Sequence, residues 1–254
     1  MSVRVLVRPP GPRLAEGLLT HLERRAVDLD VALRQWLGYV DVLVAQGWDV
    51  VRVDAADDCP DAVFVEDPVV VHRDLAVLAR SGAEGRRREV DGVEAAVRAA
   101  GYRVERIGAP GTLDGGDVLK VADTVYVGTG ARTNADGARQ LGGFLAPFGV
   151  TVVPVPVTKA LHLKSAVTAL PDGTVVGYPP VVDDPSVFPR FLPVPEEAGA
   201  HVVLLGGERV LMSAGAPATA ELFAGRGLEP VLVDIGEFEK LEGCVTCLSV
   251  RLRG

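Results

Sequence analysis

The sequence predicts an α/β fold assembled from repeated hairpin–helix units. Three observations carry this expectation. Short apolar runs rich in Val and Leu recur in pairs across tight turns. Several pairs are preceded by a short polar motif and followed by a stretch with helical spacing of apolar residues. No linker of Pro, Gly and Ser divides the 254 residues, so a single domain over 1–254 is expected.

Residues 3–7 read as a strand that must stop at Arg8-Pro-Pro10, because proline cannot continue a ladder. Over 27–46, Leu29, Ala32, Leu33, Trp36, Leu37, Val40, Leu43 and Val44 recur at helical spacing, and Gly47 closes the helix. Residues 49–53 read as a strand. Residues 62–65, the acids Glu66 and Asp67, residues 69–71, a turn at His72-Arg-Asp74 and residues 75–78 make a first hairpin, with a helix over 87–100. The second round is Leu113-Asp-Gly-Gly-Asp117, strands 118–121 and 125–127, and a helix over 138–148. In the third, Leu161-His-Leu-Lys-Ser165 precedes strands 166–170 and 174–176, and the Pro-rich stretch 178–195 reads as a long loop. The fourth has strands 201–205 and 210–212 and a helix over 218–224; a last strand covers 244–252. Units of this kind around an axis bring their polar motifs to one end.

The bulk numbers exclude several classes. A net charge of -8 lacks the basic stripe of a nucleic-acid binder. No apolar run approaches the ~20 residues that span a bilayer, and the N-terminus carries no signal-peptide pattern. Cys59, Cys244 and Cys247 are too few for a disulfide framework, so the reducing cytoplasm is the expected compartment.

Chemistry gathers in a few places. Cys247 follows Thr246 at the mouth of an apolar run and can be a nucleophile if a base and an orienting group accompany it. Cys244 and Cys247 also form C-x-x-C, yet no helix follows as in a redox motif, and no second Cys/His pair completes a zinc site. No metal is expected. His162 stands isolated between leucines, where a structural role is as natural as a catalytic one. Two glycines between Asp114 and Asp117 suit a close backbone approach. Glu66 and Asp67 sit in apolar surroundings, which is costly unless they pair, and together they suit a planar guanidinium. Arg132, after a Gly-rich turn, suits a carboxylate, whereas Arg86 opens a basic triplet of the kind that usually faces solvent.

Five motifs together carry a resemblance: Phe64-Val-Glu-Asp67, Thr112-Leu-Asp-Gly-Gly-Asp-Val-Leu119, Arg132-Thr-Asn134, Leu161-His-Leu-Lys-Ser165 and Thr246-Cys-Leu-Ser249. In order and spacing they resemble the dimethylarginine dimethylaminohydrolase family, of the guanidine-modifying amidinotransferase (pentein) superfamily. The resemblance implies a five-bladed α/β propeller with pseudo-fivefold symmetry and one catalytic domain. It implies no cofactor, a small guanidino amino acid as substrate, no nucleic-acid or membrane partner, and leaves room for a homodimer. By matching position it implies Cys247 as nucleophile, His162 as general acid and base, and Asp114 as the carboxylate that orients the imidazole. It implies that Asp61, Glu66 and Asp67 hold the guanidinium and α-amino end, and that Arg86 and Arg132 bind the α-carboxylate. Leu18 falls on a loop that closes over the pocket, and Leu241 matches a backbone contact. The implied activity is hydrolysis of N-omega-methylated arginines to citrulline and dimethylamine or methylamine, through a thiouronium on Cys247. An arginine deiminase of the same fold and a non-catalytic guanidine-binding or redox-sensing protein are the alternatives. Ser81 and Gly130-Ala131 depart from the family pattern at the pocket rim.

Overall fold

The last strand of the chain completes the sheet of the first. In the computed structural model, which describes residues 3–252, β1 (Arg4–Val7) pairs antiparallel with β15 (Val250–Leu252) and parallel with β2 (Asp49–Arg52). The other sheets repeat this plan of an antiparallel pair with a third strand added in parallel. They are β3 (Val69–His72), β4 (Leu75–Leu78) and β5 (Arg103–Arg106); β6 (Val118–Val121), β7 (Thr124–Thr129) and β8 (Thr151–Pro156); β9 (Val167–Ala169), β10 (Val175–Gly177) and β11 (Phe191–Pro193); and β12 (Val203–Gly206), β13 (Arg209–Ser213) and β14 (Glu229–Val233).

A parallel neighbour requires a crossover, and helices supply most of them. α1 (Leu29–Ala45) joins β1 to β2, α2 (Val90–Ala99) joins β4 to β5, α3 (Ala135–Leu145) joins β7 to β8, and α4 (Pro217–Ala224) joins β13 to β14. Between β10 and β11 the prolines withdraw backbone donors, and only short 3-10 turns at Pro179–Val181 and Pro185–Val187 form. Two of these helices, α1 and α3, begin at polar caps: the Asp28 side chain accepts from Val31 N, and that of Asn134 from Gly137 N. All five sheets line a channel, with Val69, Leu119, Thr168, Val203 and Val250 among its walls. This is the five-bladed α/β propeller, and the apolar clusters lie between neighbouring blades.

Several expectations need correction. Residues 62–65 are turns rather than a strand, and their apolarity reports burial under the site. Residues 244–249 likewise form turns, and the strand is confined to Val250–Leu252. His162 precedes a 3-10 turn (Leu163–Ser165), not a strand. A 3-10 stretch (Glu84–Glu89) comes before α2, and β11 lies in the expected loop. On α1, Ala32, Trp36, Tyr39, Val40 and Leu43 are buried, but Leu29, Leu33, Leu37 and Val44 remain exposed. Among the described residues no helix is long and apolar enough to cross a membrane.

Candidate active site

At one end of the propeller the motifs converge on a second, tighter cavity. Cys247, His162, Asp61, Asp67, Arg86 and Arg132 line it, with Leu18 and Leu241 at its edge. Asp114 stands directly behind the imidazole, fully buried, with Oδ2 3.0 Å from His162 Nε2. Eight of the ten residues expected at the site therefore share this cavity, and Asp114 touches it through His162.

Glu66 is the exception. Its carboxylate turns to Lys164 Nζ at 2.5 Å and accepts from Thr246 Oγ1 at 2.9 Å, against the axial channel. Asp67 faces the smaller cavity instead. Its Oδ2 pairs with Arg86 Nη1 at 2.7 Å, and its Oδ1 accepts from Gly116 N at 3.0 Å and lies 3.8 Å from His162 Nδ1.

The two glycines at 115 and 116 are explained by close approach. A Cβ at Gly115 would lie 2.1 Å from the Glu66 carbonyl oxygen. A Cβ at Gly116 would lie 2.7 Å from both Asp67 Oδ1 and His162 Nδ1. The imidazole edge and the Asp67 carboxylate thus lie directly over bare backbone.

The arginines differ in what they have left to offer. Arg86 is buried rather than solvated. It gives Nε and Nη2 to the Glu89 carboxylate and Nη1 to Asp67, and Nη2 also meets the Asp61 carbonyl oxygen at 3.3 Å. One N–H of its five remains. Arg132 spends only Nη1, on Asp114 Oδ2 at 3.3 Å, and keeps most of its fork for a ligand.

The field inside the cavity is strong. Burial alone would lower the His162 pKa, but Asp67, the hydrogen bond with Asp114, and Asp117 outweigh it and hold the imidazolium up to about 9. Burial opposes the Asp67 charge, yet His162, Arg86 and Arg132 bring its pKa down to about 2. The Cys247 thiol is pushed well above its ordinary range by the hydrogen bond it shares with Cys244, by burial, and by Glu66 and Asp67. Cys244 Sγ is 3.3 Å from Cys247 Sγ, and Cys244 N donates to Cys247 Sγ at 3.4 Å. Tyr39 fixes this turn, its hydroxyl donating to the Val245 carbonyl oxygen at 2.8 Å.

Two carboxylates hold the loop over the cavity. Both Asp61 oxygens accept from Leu18 N, at 3.2 and 3.1 Å, and Glu242 accepts from the backbone N–H groups of Thr20, His21 and Leu22. Among the described residues, Asp67, Asp114 and His162 form one group whose ligand atoms lie within 4.8 Å of one another and could hold a metal ion. Arg86 and Arg132 already neutralise those two carboxylates, which opposes a further cation.

The chain is 67% identical to the N(G),N(G)-dimethylarginine dimethylaminohydrolase of Streptomyces coelicolor over 252 residues, covering 99% of this chain and 98% of that protein. It is 37% identical to the Pseudomonas aeruginosa protein of the same name, covering 99% and 100%. The chain belongs to the dimethylarginine dimethylaminohydrolase family. A crystal structure of the Pseudomonas aeruginosa family member, a Cys-to-Ser variant complexed with citrulline, superposes with a TM-score of 0.91 at 36% identity, over 99% of this chain and 100% of that one. The N-terminal domain of ArgZ, a cyanobacterial arginine dihydrolase, shares the fold at 21% identity and a TM-score of 0.88, covering 99% and 97%. A scan against protein-family models found no match.

Sequence reasoning about this family member missed Glu89, Thr133, Lys164 and Glu242. Glu89 had a visible signal, three residues after Arg86 on one helical face. Glu242 had none, because its partners are backbone groups more than two hundred residues away.

Proposed function

We propose that Cys247, His162 and Asp114 carry out the hydrolysis of N-omega-methylated arginines to citrulline and dimethylamine or methylamine, within one catalytic domain. The observation that carries this reading is that Cys247, His162 and Asp67 open on one cavity while Asp114 backs the imidazole at 3.0 Å.

The guanidinium lies against Asp67, and the spare N–H donors of Arg132 take the α-carboxylate, with Arg86 adding one. Asp61 takes the α-amino end. Glu66 supports from behind, as negative charge beside Thr246 and Cys247. The Cys247 thiol resists ionisation in the resting site, so the incoming cation is what favours the thiolate, and its proton leaves to solvent. Sulfur attacks the guanidinium carbon, and the C–N bond to the methylated amine breaks. The His162 imidazolium gives that amine its proton, leaving a thiouronium on Cys247. Neutral His162 then takes a proton from water, the resulting hydroxide attacks the same carbon, and the C–S bond breaks to release citrulline. The high His162 pKa suits the first half, in which it must start protonated.

Cys247→Ser tests the assignment. It should bind dimethylarginine and form no citrulline, and undiminished citrulline formation would remove Cys247 from the chemistry. Asymmetric dimethylarginine, monomethylarginine and arginine compared side by side separate this activity from an arginine deiminase. The 3.3 Å sulfur–sulfur contact is the one observation favouring a thiol-sensing protein. Citrulline release by the reduced protein decides against that alternative.

This reading takes a small guanidino amino acid as ligand and needs no cofactor, nucleic acid or membrane. It assigns the chain to the reducing cytoplasm, where its three free cysteines stay thiols. The exposed stripe of Leu29, Leu33, Leu37 and Val44 supports a homodimer, which light scattering of the purified protein tests.

A further inference from the structure

The motif Asp114-Gly-Gly-Asp117 supplies two acids, and the mechanism above uses only the first. Asp117 is 2% exposed and does not line the catalytic cavity. Both its oxygens are nevertheless engaged with the segments that carry the site. Oδ1 accepts from Leu163 N at 2.9 Å, the residue after His162. Oδ2 accepts from Thr133 Oγ1 at 2.6 Å, the residue after Arg132. Thr133 Oγ1 in turn accepts from Asp114 N at 3.1 Å. Gly128 makes room for this carboxylate, since a Cβ there would lie 2.5 Å from Asp117 Oδ1.

One buried side chain therefore ties together three stretches of chain, bearing His162, Asp114 and Arg132. Burying a carboxylate is costly unless each oxygen is bonded, and here each is. The bland account is an acid that merely closes the turn before β6. It accounts for the bond from Asp117 N to the Asp114 carbonyl oxygen at 3.0 Å, but not for the side-chain contacts to Thr133, beyond β7 of the same blade, and to Leu163, ahead of β9 in the next.

We infer that Asp117 is a positioning residue for the proposed hydrolysis, holding the His162 and Asp114 backbones at the spacing that the imidazole–carboxylate contact requires. This rests on the reading of Cys247 and His162 given above. Asp117 acts through Leu163 N and through the Thr133 hydroxyl and touches neither substrate nor the reacting atoms. Its charge also faces His162, together with Asp67 against Nδ1 and Asp114 against Nε2, while Arg86 and Arg132 balance the latter two.

The experiment compares wild type, Asp117→Asn, Thr133→Val and Thr133→Ser with dimethylarginine as substrate. Citrulline is followed across pH, and folding is checked by circular dichroism. Asp117→Asn should lower kcat ~10–100-fold with KM within about twofold, as for other groups that orient a reacting side chain. Its basic pH limb should move to lower pH, because a negative charge near His162 is gone. Thr133→Val should show part of the kcat loss, Thr133→Ser should restore it, and adding Thr133→Val to Asp117→Asn should cost little more. An Asp117→Asn protein that melts earlier but keeps its kcat and basic limb would overturn the positioning role. If Asp117→Asn does not fold, the Thr133 pair decides, since a Thr133→Val enzyme as fast as wild type would overturn it equally. Wild type that forms no citrulline would instead bring down the underlying assignment, so the two failures are distinguishable.

Discussion

Gly116→Ala tests the geometry of the site by adding a single methyl group. The new Cβ would lie 2.7 Å from Asp67 Oδ1, 2.7 Å from His162 Nδ1 and 2.8 Å from His162 Cγ, whereas ordinary contact begins at 3.4 Å. Something must move by about 0.7 Å, the difference of those distances. Asp67 cannot yield readily, because its Oδ2 is held by Arg86 at 2.7 Å. The imidazole is tethered only at Nε2, to Asp114 at 3.0 Å, so the ring is the part that moves. A misplacement approaching 1 Å in a catalytic group costs up to ~100-fold, so kcat should fall ~10–100-fold. Overpacking should cost only about 1–3 kcal/mol of stability, and the protein stays folded. Initial rates of citrulline release give kcat and KM separately, and thermal unfolding reads the stability. Gly143→Ala in α3 is the control, since a Cβ there meets nothing within 4 Å. It should leave kcat unchanged and stabilise by about 0.5–1 kcal/mol. A Gly116→Ala enzyme with wild-type kcat would refute the claim that the ring and the Asp67 carboxylate are locked over bare backbone.

Arg86→Ala leaves Asp67 and Glu89 buried without their shared cation, so denaturant unfolding should show a loss of about 3–5 kcal/mol, and Arg86→Lys should recover only part. His162 has a folded pKa of about 9 against an ordinary 6.5, so its contribution is fully present below pH 6.5 and is lost as pH rises through 9. That displacement is worth ~3 kcal/mol, so melting temperature should fall between pH 7 and 10 in wild type and less in His162→Gln. Under the proposed mechanism activity should decline over the same upper range, because a neutral His162 would have no proton for the leaving amine. Arg132→Ala should raise KM and also lower kcat, because Arg132 bonds Asp114 Oδ2 as well as facing the ligand. A change in KM alone would show that its contact with Asp114 does not matter to the chemistry.

Four of the five antiparallel pairs were legible because each is a pair of short apolar runs closed by a local turn, as at β3–β4 and β6–β7, whereas the pairing of β1 with β15 joins opposite ends of the chain. Of the blades' third strands only β2 was legible. β5 reads Arg-Val-Glu-Arg and β2 reads Asp-Val-Val-Arg, with exposed charges at both ends, and only long-range pairing makes such edge segments strands. β2 was recognised from its two valines, whereas β5, β8 and β14 were not. The opposite error occurred at 62–65 and 244–249. Both are apolar because they are buried in turns beneath the cavity, and a short apolar run does not distinguish a buried turn from a strand. In the site, residues marked by an unusual neighbourhood were legible: Asp114 by its glycines, Asp67 by its apolar flanks. Arg86 was read from its residues alone as a solvated face, because nothing local says that the chain folds Glu89 and Asp67 around it. Glu66 and Asp67 are adjacent and chemically alike, and only the packing of Lys164 and Thr246 turns one of them to the axial channel.

The charges of the substrate-free site explain why so many can be buried together. Arg86 is neutralised by Asp67 and Glu89, Arg132 by Asp114, and the His162 imidazolium by Asp114 and Asp67. A guanidino amino acid carries a guanidinium at one end and, on the α-carbon at the other, an ammonium and a carboxylate side by side. Its entry exchanges internal pairs for external ones and does not expose bare charge to a dry cavity. The loop carries the same logic under the proposed function: Asp61 holds Leu18 N, and the α-ammonium of the ligand would offer it a stronger partner. On that reading ligand binding and loop position are coupled through one carboxylate, and an analogue lacking the α-amino group should leave the Leu18 contact in place.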